Sequence, residues 1–199
     1  MKKTIQFLII AGFLTATTAV MAADLTAFGL IKEGNRYIGE QSKDKVVQIR
    51  SEKSVGGTTP QIWYIVYYDP TATLKAVEVK FGAGQMMEVK RPFRLLEPVS
   101  GEDKMLNRGK FKVDSDKAIK TALAEPLLEN LKITATQVRL QRAAKSFAGE
   151  ANDNDPVWRV SIWAEKLRNR QDDANVGEVF ISAETGKVIK SKLHINSVD

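Results

Sequence analysis

His194 is the only histidine in the chain, and there is no cysteine. A zinc site draws several ligands from imidazole and thiolate groups, so one histidine cannot build one. A Ser–His–acid set is formally possible with that histidine and any serine, but no nucleophile-elbow motif (Gly-x-Ser-x-Gly) occurs. His194 therefore reads as an ordinary histidine of the last strand. Oxygen-bearing side chains crowd at Glu150, Asn152, Asp153, Asn154 and Asp155. A helix-loop-helix calcium loop needs Gly at its sixth position and Glu at its twelfth, and neither falls in place. These residues read as a solvated connection between strands. The sequence thus predicts no catalytic residue, no metal ligand and no cofactor.

Two other groups of residues suit binding rather than catalysis. From Gln85 to Lys112 the chain carries Lys90, Arg91, Arg94, Lys104, Arg108, Lys110 and Lys112 against Glu88, Glu97, Glu102 and Asp103. With Pro92, Pro98, Ser100, Gly101 and Gly109 among them, they read as a solvated hinge. A patch for an anionic envelope polymer or lipid headgroups is the alternative. Nucleic acid is not an expected partner, because no recognised reading motif is present.

The second group is aromatic. Along Ile62–Tyr68 a strand would send Ile62, Tyr64, Val66 and Tyr68 to one side and Trp63, Ile65 and Tyr67 to the other. Trp158 and Trp163 fall on opposite faces of a later strand in the same way. One face of each strand must cover a core. The other is left for the rest of the chain, a second copy of it, or a partner. Tyr and Trp dominate interface energetics, so Trp63, Tyr64, Tyr67, Tyr68, Trp158 and Trp163 are the candidate partner-binding residues.

The elements that must position these residues are written twice. Trp63-Tyr64-Ile65-Val66-Tyr67-Tyr68 aligns with Trp158-Arg159-Val160-Ser161-Ile162-Trp163, each segment following a proline, Pro60 or Pro156. Ala76–Met87 aligns without a gap with Glu178–Ile189: strand, turn ending in Gly84 or Gly186, strand. Upstream, Val46–Arg50 matches Thr136–Leu140. A charged insert at Arg168–Asp173 lengthens the second copy. Gly186 is expected at φ > 0, closing a hairpin with a bulge.

Each copy opens with a helix. In the second, Asp114 or Ser115 suits the cap, Ile119, Ala122 and Leu123 recur at helical spacing, and Pro126 ends the run. In the first, Phe28, Ile31 and Ile38 form a stripe diluted by Gly29, Gly34 and Gly39, which predicts a short helix. Consecutive strands on short connections pair antiparallel, with one helix backing each sheet. The expected fold class is α+β: two tandem helix-on-antiparallel-sheet (α-β-β-β-β) units, each with its own sheet. Val138, Leu140, Trp158, Val160, Ile162, Val179, Ile181 and Val188 are the expected core of the second.

The N-terminus reads as a secretory signal. Lys2 and Lys3 precede an apolar run from Ile5 to Leu14, and Val20-Met21-Ala22 offers a cleavage site after Ala22. The run is too short to span a membrane, so no stable insertion is expected after cleavage. Loss of Lys2 and Lys3 takes the 30 basic residues to 28 against 24 acidic, and the formal charge from +6 to +4. An exported chain without cysteine must be held by hydrophobic burial alone. The expected division is 1–22 signal peptide, 23–97 first repeat, 98–112 linker and 113–199 second repeat.

The second copy resembles the PepSY domain family. The resemblance lies in Asp114-Ser115-Asp116-Lys117-Ala118-Ile119, in Pro156-Val157-Trp158-Arg159-Val160, and in the closing hairpin Gly177–Val188. The first copy departs from it, with Gly82-Ala83-Gly84 in place of an acidic turn, and reads as a degenerate PepSY-like unit. The resemblance implies a periplasmic or secreted location, a helix-on-sheet fold and a non-catalytic role in binding or inhibiting other proteins. It carries no set of active residues. The tandem plan is also similar to that of secreted β-lactamase inhibitor proteins.

The leading expectation is a periplasmic or secreted module that binds another envelope or secreted protein or peptide through a sheet face or edge. The alternative is a reversible inhibitor of an extracellular hydrolase, of the peptidase or β-lactamase class, presenting the Ser51–Thr59 or Gly149–Asp155 loop. A third reading is a small α+β enzyme with a pocket between helix and sheet.

Overall fold

A computed structural model describes residues 26–93, 97–143, 152, 155–166 and 172–198. The expected signal segment, Arg94, and most of the Gly149–Asp155 and Arg168–Asp173 loops lie outside these residues. The described chain is α+β. Helix α1 (Ala27–Gly34) is followed by strands β1 (Val46–Ser51), β2 (Ile62–Tyr68), β3 (Ala76–Gly82) and β4 (Gln85–Lys90). Helix α2 (Ser115–Leu123) is followed by β5 (Ile133–Arg142), β6 (Pro156–Glu165), β7 (Asp173–Ser182) and β8 (Val188–Leu193).

All eight strands form one antiparallel sheet in the order β4-β3-β2-β1-β5-β6-β7-β8. The expectation of two separate sheets is therefore corrected: β1 pairs with β5 and fuses them edge to edge. That seam is short, with Ile49 opposite Leu140 and Arg50 opposite Arg139. Beyond it the strands diverge, and serine hydroxyls bridge the gap. Val138 N donates to Ser51 Oγ at 2.9 Å and Thr136 N to Ser54 Oγ at 2.8 Å. Buried backbone donors are thereby satisfied without a regular ladder.

Both helices cover the same sheet face and share one core. Leu30 and Ile31 of α1 and Ala118, Ile119 and Ala122 of α2 pack on Ile49, Trp63, Ile65, Val79, Phe81, Leu140, Trp158, Val160 and Ile181. The alternation within β2, β3 and β6 sends every second residue into this core, as a pleated strand must. In β7 an irregularity at Gly177 shifts the phase, so that Val176 and Val179 both enter it. Val188 does not join it; β8 is an edge strand, and Val188 is exposed.

The helix ends meet. Asp114 caps α2 by accepting from Ser115 N at 2.6 Å, and the same carboxylate accepts from Phe28 N of α1 at 3.1 Å. Ser115 Oγ accepts from Ala27 N at 3.2 Å. One Asp-Ser pair thus satisfies first-turn N–H groups of both helices, and its charge suits both positive helix ends. Phe28 then stacks on Phe111 at 5.0 Å and leans on Trp158 at 5.8 Å, tying α1 to the second half of the sheet.

Two glycines have backbone reasons. A Cβ on Gly34 would meet the Tyr67 hydroxyl at 2.2 Å, where that hydroxyl donates to Ile31 O at 3.0 Å. Gly186 has φ 75°, and its N–H donates to Ser182 O at 2.9 Å, closing the β7–β8 turn.

Replacing Asp114 by Ala should cost more than an ordinary cap, about 2 kcal/mol or above, because it orphans donors on two helices. Gly186→Val should cost roughly 1–3 kcal/mol through its left-handed backbone. Urea denaturation with a parental midpoint for either variant would contradict these assignments.

Candidate functional site

The six aromatic candidates divide by strand phase. Trp63, Tyr67 and Trp158 lie in the core under the helices at 4%, 0% and 0% exposure. Their polar atoms are spent internally: Trp63 Nε1 donates to Pro60 O and Trp158 Nε1 to Val113 O. Burial pushes the Tyr67 phenol well above its usual pKa. Tyr64, Tyr68 and Trp163 occupy the opposite face, which neither helix covers.

On that open face each ring carries a cation. Arg50 lies 3.9 Å from the Tyr64 ring centre, Lys45 5.6 Å from that of Tyr68 and Lys53 4.9 Å from that of Trp163. Such pairs hold the long side chains against the sheet with their charges outward. Tyr64 is nearly covered at 8% exposure, its hydroxyl donating to Glu52. Tyr68 and Trp163 remain half-buried. Lys53 is pinned by Asp173 at 2.7 Å, and its hydrogen bonds hold the Asp173 carboxyl below the usual range.

The centre of the face is a line of basic residues. The register sets Lys80 opposite Tyr64, Tyr64 opposite Arg50, Arg50 opposite Arg139, Arg139 opposite Arg159, and Arg159 opposite Phe180. Three arginines therefore stand abreast on three neighbouring strands, across the seam. Between them is a polar recess of about 100 Å3, whose lining includes Ser51, Gln137 and Ser161. Sequence reasoning missed this row. The arginines sit at polar-phase positions of their strands, which was legible, but which of them face one another follows only from the β1–β5 pairing.

The segment read as a solvated hinge is largely exposed but is anchored at a few points. Val99, 4% exposed, seats on Val66 and Ala76 of the open face. Glu97 accepts from Gln48 Nε2 at 3.0 Å and Arg139 Nη1 at 2.6 Å. The segment then turns around the sheet, and Leu106 N donates to Val46 O at 2.8 Å. The open face of the first half is thus partly covered by the protein's own chain, while the seam and Trp163 stay accessible. At the sheet's end, β4 is exposed along its whole length, with Met86, Met87 and Val89 at the surface.

On the helix side a cavity of about 510 Å3 opens between α2, the β1–β2 loop and the β3–β4 turn. Trp63, Ile119, Leu123 and Pro60 line it, and its charged groups are Asp116 and Lys120, both exposed on α2. Its size suits a small molecule. His194 is remote from it, just beyond β8, where its N–H donates to Val176 O at 2.7 Å. Among the described residues no cluster of three or more His, Asp or Glu is placed to hold a metal. No helix there is long and apolar enough to cross a membrane.

Fold and site together define an α+β protein whose single antiparallel sheet is backed by helices on one face and lined with cations on the other. Comparison with known proteins adds no assignment: no family model matches the chain, and neither a curated protein nor a solved structure does.

The Asp173 carboxyl, with its depressed folded pKa, contributes stability that is present above the unfolded value of about 4 and is lost as pH falls through the folded one. Thermal melts should place Asp173→Asn below the parent near neutral pH, with the gap closing on acidification. A gap that widens in acid would contradict the Lys53–Asp173 assignment.

Proposed function

We propose that the chain is an exported, non-catalytic binding module of two tandem α-β-β-β-β units of the PepSY kind, docking another envelope or secreted protein, or a peptide of one, on the open face of its sheet. Its units are residues 23–97, the degenerate copy, and 113–199, joined by 98–112. The repeat reading rests on phase. Trp63 and Trp158 point into the same core, as do Val77, Val79 and Phe81 beside Val179, Ile181 and Ala183. Gly84 and Gly186 take φ of 76° and 75° at corresponding turns. The PepSY part rests on Asp114–Ile119 and the Gly177–Val188 hairpin.

The observation that carries the binding role is the part of the open face that the chain's own crossing segment leaves accessible, around the seam and Trp163, with Tyr68 at the border of the covered part. Half-buried Tyr68 and Trp163, each under a lysine, flank a row of arginines, and Tyr, Trp and Arg are the residues that anchor interfaces. A second reading, inhibition of an extracellular hydrolase, is favoured by one loop. Val55 is 84% exposed at its tip, while its base is fixed by Ser54 N donating to Thr136 O at 2.8 Å and by the Lys53–Asp173 pair. A rigid base with an apolar tip suits insertion into a cleft.

A photoreactive phenylalanine analogue at position 68 or 163, in the native envelope, should trap a defined polypeptide. The same probe at Lys117, on the outer side of α2, should not. Trp163→Ala should weaken capture at position 68 without lowering thermal stability. Adducts only with the protein itself, or equal capture from position 117, would defeat the reading. Abolition of capture by Val55→Ser alone would favour the inhibitor.

A further inference from the structure

Like charges set directly opposite each other destabilise a sheet, yet Arg50, Arg139 and Arg159 stand abreast on β1, β5 and β6. Each is matched by a glutamate of its own chain: Arg50 donates to Glu78 at 2.8 Å, Arg139 to Glu97 at 2.6 Å, and Arg159 to Glu178. A guanidinium carries five N–H donors, so one such pair uses only part of its capacity. The Nε of Arg159 is buried with no hydrogen-bond partner among the described residues. The three side chains border the same recess of about 100 Å3, with Gln137 and Ser161 adding further polar groups. About 10–15 Å3 of such space admits one water, so the recess has room for a carboxylate.

One carboxylate already demonstrates the mode. Glu97 enters on a segment that crosses the open face and spans Gln48 and Arg139, while Val99, two residues on, seats on Val66 and Ala76. The face therefore accommodates a crossing segment that brings an acidic side chain to the row and an aliphatic one beside it. Arginine favours this acceptor because its planar fork matches a carboxylate's two oxygens.

We propose that the recess between Arg50, Arg139 and Arg159 binds an acidic side chain on a segment of the partner protein. This rests on the open face being the docking surface. It adds the chemistry: the partner presents Asp or Glu at the seam, flanked by a residue that reaches Trp163. Glu97 is the internal rival for Arg139, so removing its charge strengthens partner binding.

The test uses the mature chain and fluorescein-labelled hexaglutamate, followed by fluorescence anisotropy. Hexaglutamate should bind, and hexaglutamine should bind at least about tenfold more weakly, since it offers no charged acceptor for the guanidinium forks. Arg139→Gln and Arg159→Gln should each weaken hexaglutamate about tenfold or more. Lys117→Gln, exposed on the outer side of α2 and so on the opposite side of the sheet, should change it less than about twofold, as exposed peripheral charges do. Arg159→Lys, which keeps the charge but loses the fork, should fall between. Glu97→Gln should tighten binding. Equal affinity for the two peptides, or arginine variants that bind like the parent while keeping its circular dichroism spectrum, would overturn the proposal. So would displacement of hexaglutamate by inorganic phosphate at concentrations where acetate has no effect. If hexaglutamate fails to bind while capture from position 163 persists, the acidic ligand falls and the docking face stands.

Discussion

The carboxylate of Asp114 is where the two halves of this protein become one. It caps α2, as an aspartate before a helix should, and also accepts from the first turn of α1. With Ser115 taking Ala27 N, two positive helix ends converge on a single negative group. Alone, each half would be a short helix on four strands, and units of that size bury too little of their surface to be secure. Joined at the helix ends, they place Phe28 of α1 against Trp158 of β6, so the first half helps to complete the core of the second.

The same junction sets the surface chemistry. With both helices gathered on one face, the other face of all eight strands is left to polar residues, aromatics, the crossing segment and a small apolar cluster of Ala143, Val157 and Phe180. The β1–β5 pairing brings Arg50 and Arg139 abreast. A slip of one residue would send one of those side chains into the core and an aliphatic one to the surface. The serine bridges from Ser51 and Ser54 hold the register where the ladder runs out. The arginine row and its recess are thus a product of the seam, and neither half would carry them alone.

This division also explains what could be read from the residues alone. The alternation in Trp63–Tyr68 and Trp158–Trp163 assigns each aromatic to a face, and Gly186 and Asp114 announce a turn and a cap, because those signals are local. The match of Val46–Arg50 to Thr136–Leu140 goes out of phase. Ile49 points into the core, whereas Arg139, its counterpart in that match, lies on the open face, and an irregularity between Val46 and Gln48 accompanies the shift. A bulge leaves little mark in a short apolar strand. The single sheet, the second duty of Asp114 and the packing of Val99 are long-range pairings, on which local periodicity is silent. Gly34 appeared as a weak point in a helix; the approach of the Tyr67 hydroxyl explains it.

If the halves are bound through the Asp114 junction and the β1–β5 seam, they must unfold together. Trp63 reports on the first half and Trp158 on the second, so the decisive measurement is equilibrium denaturation followed by tryptophan emission in single-tryptophan variants, beside far-ultraviolet circular dichroism. The account predicts one transition with coincident midpoints for both probes. Two separated transitions, one for each tryptophan, would mean that the halves are independent and that no shared seam organises the face.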